Sequence, residues 1–485
     1  MLSAAGPERR PENIAALHAG IDSFLAGCVK PALLEPGEKV MDLRTGCFEI
    51  TENAGRLRME AWDETRNLGR RVLEITIRRR GRLDLRTEHF GGKTGVLSLI
   101  DLAAPSNASA EGRGSRQAFR EVFRRMLRRQ LTGFSILEVS SEPDLEHSLS
   151  PAFPRALLRR GSTWLAAVAA GPDNSSTDGV LTFGLIWLDY LRRIRRLPVQ
   201  RLILFVPAGQ HRNTCLRLRY IDAARAACEI YVYTEKGEAR LDIADAGNLD
   251  TRLDPCRRAG NLDNTALHRL SLIPGVETID QGDGSLSLRV RGIEFARWPD
   301  ENIRLDETAR IAESLSAVRS PDSADRHHPL FRRSPELWLE SQVRSHLRKI
   351  DASLLAAPIH GQVPAFTAGD RGVIDLLAVD NSGRLAVLEL KASEDIHLPL
   401  QALDYWIRVK HHLEAGEFSS RGYFPGITLR PEPPRLMLIA PSLHFHPANE
   451  TVLRYLSSDI QVERIGLGVE WQRDVKVMFR MNACL

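Results

Sequence analysis

From Met41 to Leu102 the chain alternates apolar and polar residues and turns repeatedly, as in CFEITENAGRLRMEAWD and VLEITIRRRGRLDLRTEHFGGKTGVLSLIDL. A period of two, broken at Asn-Ala-Gly, Arg-Gly and Gly-Gly, predicts an antiparallel sheet or small barrel, preceded by a short helix near Pro11 to Val29. APSNASAEGRG, Ala104 to Gly114, reads as a linker by composition. Helices are predicted over Phe119 to Gln130 and Pro335 to Ile350. Between Gly237 and Arg297 the run GSLSLRVRGIEFARW alternates and predicts a hairpin or an added sheet edge. A second break falls at SAVRSPDSADRHHP, Ser316 to Pro329.

An internal repeat organises the rest. RALLRRGSTWLAAVAAG (Arg155 to Gly171), then GLIWLDYLRRI and RLILFVPAG, runs parallel to IDLLAVDNSGRLAVLELKA (Ile374 to Ala392), then LQALDYWIRV and RLMLIAPSL. Helix, hairpin, helix and strand recur at similar spacing, which predicts a duplicated α/β unit. The alternative is coincidence between two ordinary α/β stretches; the matching Leu-Asp-Tyr, Leu188 to Tyr190 and Leu403 to Tyr405, decides for duplication. Aligned across the repeat, Glu389 falls at Ala169, Lys391 at Gly171, and Asp375 at Arg155 or Ala156. The first copy therefore lacks two carboxylates and an ammonium that the second carries. A hairpin needs none of the three to fold, so their role is separable from architecture.

With 485 residues and 43% hydrophobic content, the chain can bury a large core and divides into about three domains. The expected divisions are residues 1–110, 115–235, 236–325 and 330–485, the third being a connecting region. The net charge of +4 is a small difference between large totals and does not announce a partner. Its distribution says more. RGSRQAFREVFRRMLRRQ (Arg113 to Gln130), DYLRRIRR (Asp189 to Arg196) and IRRRGR (Ile77 to Arg82) could track a phosphate backbone or could be solvated faces. The six cysteines are scattered without zinc spacing, and the N-terminus lacks an apolar h-region, so a reduced cytoplasm and no membrane partner are expected. His327-His328, His397 and His411-His412 read as structural or solvated, since adjacent histidines point apart on any regular element.

The chemistry concentrates in VIDLLAVDNSGRLAVLELKASED, Val373 to Asp395. In the strand Arg384 to Lys391, Leu385, Val387, Glu389 and Lys391 share one face and Ala386, Leu388 and Leu390 the other, so both faces are apolar and both are covered. With the turn at Asn381 to Gly383, Asp375 lies opposite or next to Glu389, roughly 5 to 8 Å away across the ladder. Like charges that close repel, and a hard divalent ion with oxygen ligands, Mg²⁺ or Mn²⁺, resolves the conflict. Lys391 can then stabilise developing charge or orient a water. The bland alternative is a cross-strand ion pair between Glu389 and Lys391 with Asp375 solvated. Against it stands the composition: of 66 basic residues only 8 are lysines, so a generic surface cation here would be arginine.

This arrangement resembles the PD-(D/E)XK, restriction-endonuclease-like nucleases, closest to the NucS-like branch, through GVIDLLAVDNSGRLAVLELKASED and the following LPLQALDYW; it covers about Ser334 to Ala440. The resemblance implies an α/β fold with a C-terminal mixed sheet flanked by helices, preceded here by a degenerate copy and an N-terminal antiparallel β domain. It implies metal ligation by Asp375, Glu389 and the Leu390 carbonyl, a catalytic Lys391, and support from Gln401 and Tyr405. The first-helix acid of that family must come from SPELWLESQVRSHLRKI; Glu340 is the choice, while Glu336 is assigned to the helix dipole. Ser334 and Pro335 read as N-cap and first helical residue. The N-terminal sheet does not resemble the DNA-binding domain of those nucleases. Arg124, Arg128, Arg192, Arg193, Tyr405 and Arg408 are the candidates for contact with nucleic acid. The expected function is a Mg²⁺-dependent nuclease on DNA, an endonuclease in preference to an exonuclease, in repair, recombination or defence, with a homodimer as one arrangement of the chain. A non-catalytic nucleic-acid-binding or assembly protein and an RNA-directed nuclease are the rival readings.

Overall fold

The computed structural model describes residues 14–35, 41–43, 47–53, 56–62, 67–79, 81–88, 94–102, 108–172, 177–244, 249, 251–258, 264–298, 305–367 and 370–482. It is a mixed α/β structure with antiparallel and mixed sheets, and the chain divides into two compact units, Met1–Glu111 and Gly112–Leu485. Among the described residues no helix is long and apolar enough to cross a membrane.

In the first unit, helix α1 (Ile14–Ala26) precedes β1 (Pro31–Leu34), β2 (Met41–Asp42), β3 (Cys47–Asn53), β4 (Arg56–Trp62), β5 (Asn67–Arg79), β6 (Arg82–Glu88) and β7 (Thr94–Asp101). All pairings are antiparallel, in the order β2-β1-β7-β6-β5-β4-β3. The alternation that predicts these strands also supplies the core: Leu57, Met59 and Ala61 of β4, with Leu83, Leu85, Leu97 and Leu99, pack against Leu17 and Ile21 of α1. A bidentate ion pair from Arg70 to the buried Glu35, 2.9 Å at both contacts, ties β5 to the end of β1.

Helix α2 (Ala108–Gln130) runs across the division at Glu111, so the segment read as a linker from Ala104 to Gly114 enters a helix at Ala108. The apolar period of Phe123, Met126 and Leu127, all buried, anchors this helix on a sheet. There follow β8 (Ser135–Ser140), β9 (Arg155–Arg160), β10 (Thr163–Ala169), α3 (Val180–Asp189), β11 (Val199–Pro207), α4 (Arg212–Leu218), β12 (Ala227–Thr234) and β13 (Gly237–Leu241). Next come α5 (Asn264–Ser271), the meander β14 (Val276–Asp280), β15 (Leu286–Val290) and β16 (Ile293–Trp298), α6 (Leu305–Val318) and α7 (Pro329–Arg332). The alternating run near Gly284 is thus part of a separate three-stranded sheet and not an edge of its neighbours, because its apolar face packs on its own helix α6. The chain ends with α8 (Pro335–Ser345), α9 (Leu347–Ile350), β17 (His360–Thr367), β18 (Asp370–Val379), β19 (Leu385–Leu390), α10 (Leu398–Glu414), α11 (Glu417–Ser420), β20 (Arg435–Pro441), α12 (Pro447–Leu453), β21 (Val462–Leu467) and β22 (Val477–Asn482).

One topology occurs twice. The sheet β8-β9-β10-β11-β12-β13 and the sheet β17-β18-β19-β20-β21-β22 share their order, and in both the five pairings run antiparallel, antiparallel, parallel, parallel, antiparallel. Helices α3 and α4 cross over in the first, α10 and α12 in the second. Register aligns the copies: Val168 pairs with Arg155, while Asp375 and Glu389 lie opposite each other one step beyond the pair Leu376 and Leu388. In the parallel ladders Ala169 faces Phe205 as Leu390 faces Ile439, and the next N–H, of Ala170 or Lys391, donates to that partner's carbonyl at 2.9 and 3.0 Å. Arg155, Val168 and Ala170 therefore hold the places of Asp375, Glu389 and Lys391. This corrects the alignment read from sequence, which sets Glu389 and Lys391 one residue too far along; a hairpin of different turn length shifts any ungapped match.

The copies share one core. Leu185 and Leu188 of α3 and Leu400, Leu403 and Trp406 of α10 belong to a single buried cluster. The matching Leu-Asp-Tyr lies at this junction. Asp404 takes a bidentate pair from Arg217 of the other copy, at 2.9 and 2.7 Å, and Asp189 lies 3.6 Å from Arg454. An antiparallel bridge between Ile221 and Leu456 is flanked by Asp222 N–H to Tyr455 O (2.9 Å) and Ser457 N–H to Tyr220 O (2.8 Å). The aspartate recurs because each copy uses it to hold the other.

Candidate functional site

Strand β19 is buried along its whole length: Leu385 and Val387 face the shared core, and Ala386, Leu388 and Leu390 face a second core built with α8 and α9. The turn that returns the chain from β18 is held by Asp380, whose Oδ1 accepts from the N–H groups of Ser382 and Arg384, and by Gly383 in the left-handed region at φ 88°. A Cβ at Gly383 would meet the Thr428 carbonyl at 2.3 Å, so only glycine closes this turn.

That register brings Asp375 and Glu389 side by side at the C-terminal end of β19, which is the crevice side of a parallel strand in an α/β sheet. Asp375 Oδ2 accepts from Leu390 N–H at 2.8 Å. Glu389 is 2% exposed and its Oε2 has no hydrogen-bond partner. Lys391 Nζ lies 3.9 Å from Glu389 Oε1 and 3.5 Å from Asp395 Oδ2. Asp395 in turn accepts the His397 N–H at 2.7 Å, which anchors the loop to the start of α10.

The electrostatics follow from burial. Loss of water raises the Asp375 carboxyl to about 7, against the pull of Lys391 and the Leu390 N–H, with Glu336 and Glu340 adding to the rise. Burial, and next to it the Asp375 charge, push Glu389 well above the carboxylate range. Burial works against the charge on Lys391, but Glu336, Asp395, Glu389 and Asp375 outweigh it and hold the amine well above its ordinary value. Burial would raise Asp395 too, and Lys391 and His397 bring it below its usual range. Two carboxylates that disfavour joint ionisation, one with an unsatisfied buried oxygen, fit a divalent cation. Among the described residues no group of three or more His, Cys, Asp or Glu is placed to hold a metal ion. Magnesium suits the smaller donor set of Asp375, Glu389 and the Leu390 carbonyl, because it binds through one or two carboxylates and retains water.

Other candidate residues fall elsewhere. Glu340 is buried, but Arg344 holds it at 2.7 Å and Arg289 of β15 at 4.0 Å, so its charge is spent on the junction between α8 and the three-stranded sheet. Glu336, one turn earlier, is the leading acid acting on Lys391 and stands ahead of Glu340 in its effect on Asp375. Both acids of α8 thus bear on Asp375, and Glu340 is in addition paired with Arg344. Arg319 sets the position of α8: fully buried over Trp338 at 4.7 Å, it donates to the carbonyls of Arg291, Leu330, Phe331 and Ser334. Ser334 has φ 45° and its side chain does not cap the helix.

Gln401 Nε2 reaches the Tyr405 hydroxyl at 3.4 Å. Burial, with Glu389 nearby, pushes the Tyr405 phenol above its ordinary value, and at 7% exposure the ring backs the carboxylates and has no face for a nucleobase. Arg408 is likewise buried, donating to Asp404 O at 2.8 Å, and Arg192 is spent on the carbonyls of Val199 and Arg225. These three leave the set of nucleic-acid contacts, because α10 is buried on most of its sides and Arg192, in the turn after α3, is bonded back to the start of β11. Arg193 is exposed, and Arg124 and Arg128 line a cleft of about 260 Å³ beside the edge strand β8. His412 is bonded to Glu417 (2.5 Å) and Thr251 (3.0 Å). Asp395 is the site residue that sequence reading misses; its only signal is an acid four residues beyond Lys391, in a loop without periodicity.

Comparison with protein-family models finds no match to the chain, and comparison with curated proteins finds no relative.

Proposed function

We propose that this chain is a metal-dependent nuclease that hydrolyses phosphodiester bonds of DNA, with a restriction-endonuclease-like second copy as its catalytic half. One observation carries the reading: Asp375 and Glu389 are adjacent at the end of a strand buried on both faces, one carboxylate oxygen is unsatisfied, and Lys391 stands beside them. A fold has no use for such a pair, because isolated buried like charges cost several kcal/mol. A bound Mg²⁺ or Mn²⁺ supplies Lewis-acid stabilisation of the phosphoryl oxygens and a more acidic water. Asp375 and Glu389, with the Leu390 carbonyl, are the residues that would hold that cation. Lys391, kept protonated by the acids around it, donates to a phosphate oxygen where negative charge develops. Asp395 holds the amine in place, and the charge of Glu336 acts on it as well. In the net step a water oxygen bonds to phosphorus, the phosphorus–oxygen bond to the sugar breaks, and a proton ends on the leaving oxygen.

The test is incubation of the full chain with single-stranded, double-stranded and branched DNA, and with RNA, in Mg²⁺, Mn²⁺ or chelator. Cleavage of DNA that requires metal and is abolished by Glu389→Ala and by Lys391→Ala is expected. Binding without turnover on every substrate would assign the chain to the non-catalytic binders, and turnover confined to RNA would replace the substrate.

A further inference from the structure

We propose that one chain makes a single incision when it engages duplex DNA, because the paired copies present one competent site and one without its carboxylates. The inference rests on the nuclease reading above and adds its product. The backbone contacts between the copies are reciprocal, Asp222 N–H to Tyr455 O answered by Ser457 N–H to Tyr220 O about the Ile221–Leu456 bridge, and the aspartate of each Leu-Asp-Tyr meets an arginine of the other copy, Asp404 meeting Arg217 and Asp189 meeting Arg454, from positions that are not equivalent. Self-complementary contacts of this kind are what a two-fold interface makes. The chain thus contains within itself what two subunits supply elsewhere, and a two-fold pair of sites matches the two-fold relation between the strands of a duplex.

Only one of the two places carries the chemistry. Where the second copy has Asp375, Glu389 and Lys391, the first has Arg155, Val168 and Ala170. Counting from the shared Leu-Asp-Tyr, Gln401 becomes Ile186 and Ala402 becomes Trp187. The Trp187 ring lies under the Arg155 guanidinium at 5.4 Å, stacks on Tyr190 at 5.5 Å, and its Nε1 donates to Ala156 O at 3.1 Å. Arg155 is 6% exposed. A buried cation in place of one carboxylate and a valine in place of the other, with an indole packed on that cation, leave the first copy neither of the two carboxylates that would hold a metal. Each encounter consumes one water and breaks one phosphorus–oxygen bond, and the opposite strand stays whole.

The experiment is a time course of the wild-type chain on supercoiled plasmid in Mg²⁺, at several protein concentrations, with single-stranded DNA in parallel. Nicked circles are expected as the first product, accumulating to nearly all of the plasmid before linear DNA appears, with a rate first order in protein. Linear DNA formed directly from the supercoil, or double-strand cutting that rises as the square of protein concentration, would overturn the single incision while leaving the nuclease intact. Cleavage confined to single-stranded DNA would overturn it too. No cleavage of any DNA removes the nuclease reading itself and this inference with it.

Discussion

Replacing Glu389 by glutamine keeps the shape of the side chain and removes one of two charges that the fold forces together. Opposite residues on an antiparallel ladder have their Cβ atoms about 5 Å apart, and two unit charges at that separation repel by about 3 kcal/mol at an effective dielectric of about 20. Above the ordinary glutamate range near 4.3, the wild type meets this cost either as repulsion or as uptake of a proton on folding. The sign follows from the raised pKa: an acid whose ionised form is disfavoured in the native state loses stability as pH rises through its unfolded value. At pH 8 in chelator the Glu389→Gln variant should therefore be more stable than wild type by about 3 kcal/mol, an increase of about 1 M in the urea midpoint for a slope near 3 kcal/mol/M. Below about pH 3, where both carboxyls are largely protonated in either state, the advantage should vanish. Added Mg²⁺ at a hundred times its dissociation constant should stabilise wild type by about 2.7 kcal/mol and the variant much less. Equal stability of the two proteins in chelator at pH 8, or a gain unchanged below about pH 3, would show that the carboxylates do not converge.

Three further outcomes are expected. Arg217→Ala leaves Asp404 buried without its bidentate partner and should cost about 3 to 5 kcal/mol in urea unfolding, with part of the loss recovered when Asp404→Asn is added. Glu336→Gln should lower the cleavage rate with little change in melting. Glu340→Gln should instead destabilise the unit by about 1 to 3 kcal/mol through the loss of its bonds with Arg344 and Arg289, which comparing melts with rates separates. Burial alone would raise the Asp351 carboxyl, but bonds from Ser353 and Arg435 hold it far below its usual range. Its contribution to stability is therefore present above about pH 4 and lost as pH falls further, and Asp351→Asn should flatten the acid limb of a stability–pH curve.

Local periodicity determined much of this protein. The alternation of Met41 to Leu102 is enough to specify the antiparallel strands of the first unit, since a period of two sends every second side chain into one core. The apolar run of Leu385 to Leu390 on both strand faces likewise announces a strand covered on two sides, and the Asn-Ser-Gly turn brings Asp375 opposite Glu389 with no tertiary information. Leu-Asp-Tyr signals the duplication. What the three residues do at the junction between copies is a tertiary matter: Asp404 is met by Arg217, 187 positions away, and no local pattern encodes that distance. Glu340 shows both kinds of signal, since its 2.7 Å partner Arg344 lies four residues along the same helix while Arg289, at 4.0 Å, arrives from β15. Trp187 packs under Arg155 only because β9 brings that arginine across from α3. Backbone periodicity acts over a few residues and is written along the chain, whereas the partner of a buried charge is set by which elements pack together, so the carboxylate pair was legible and its neighbours were not.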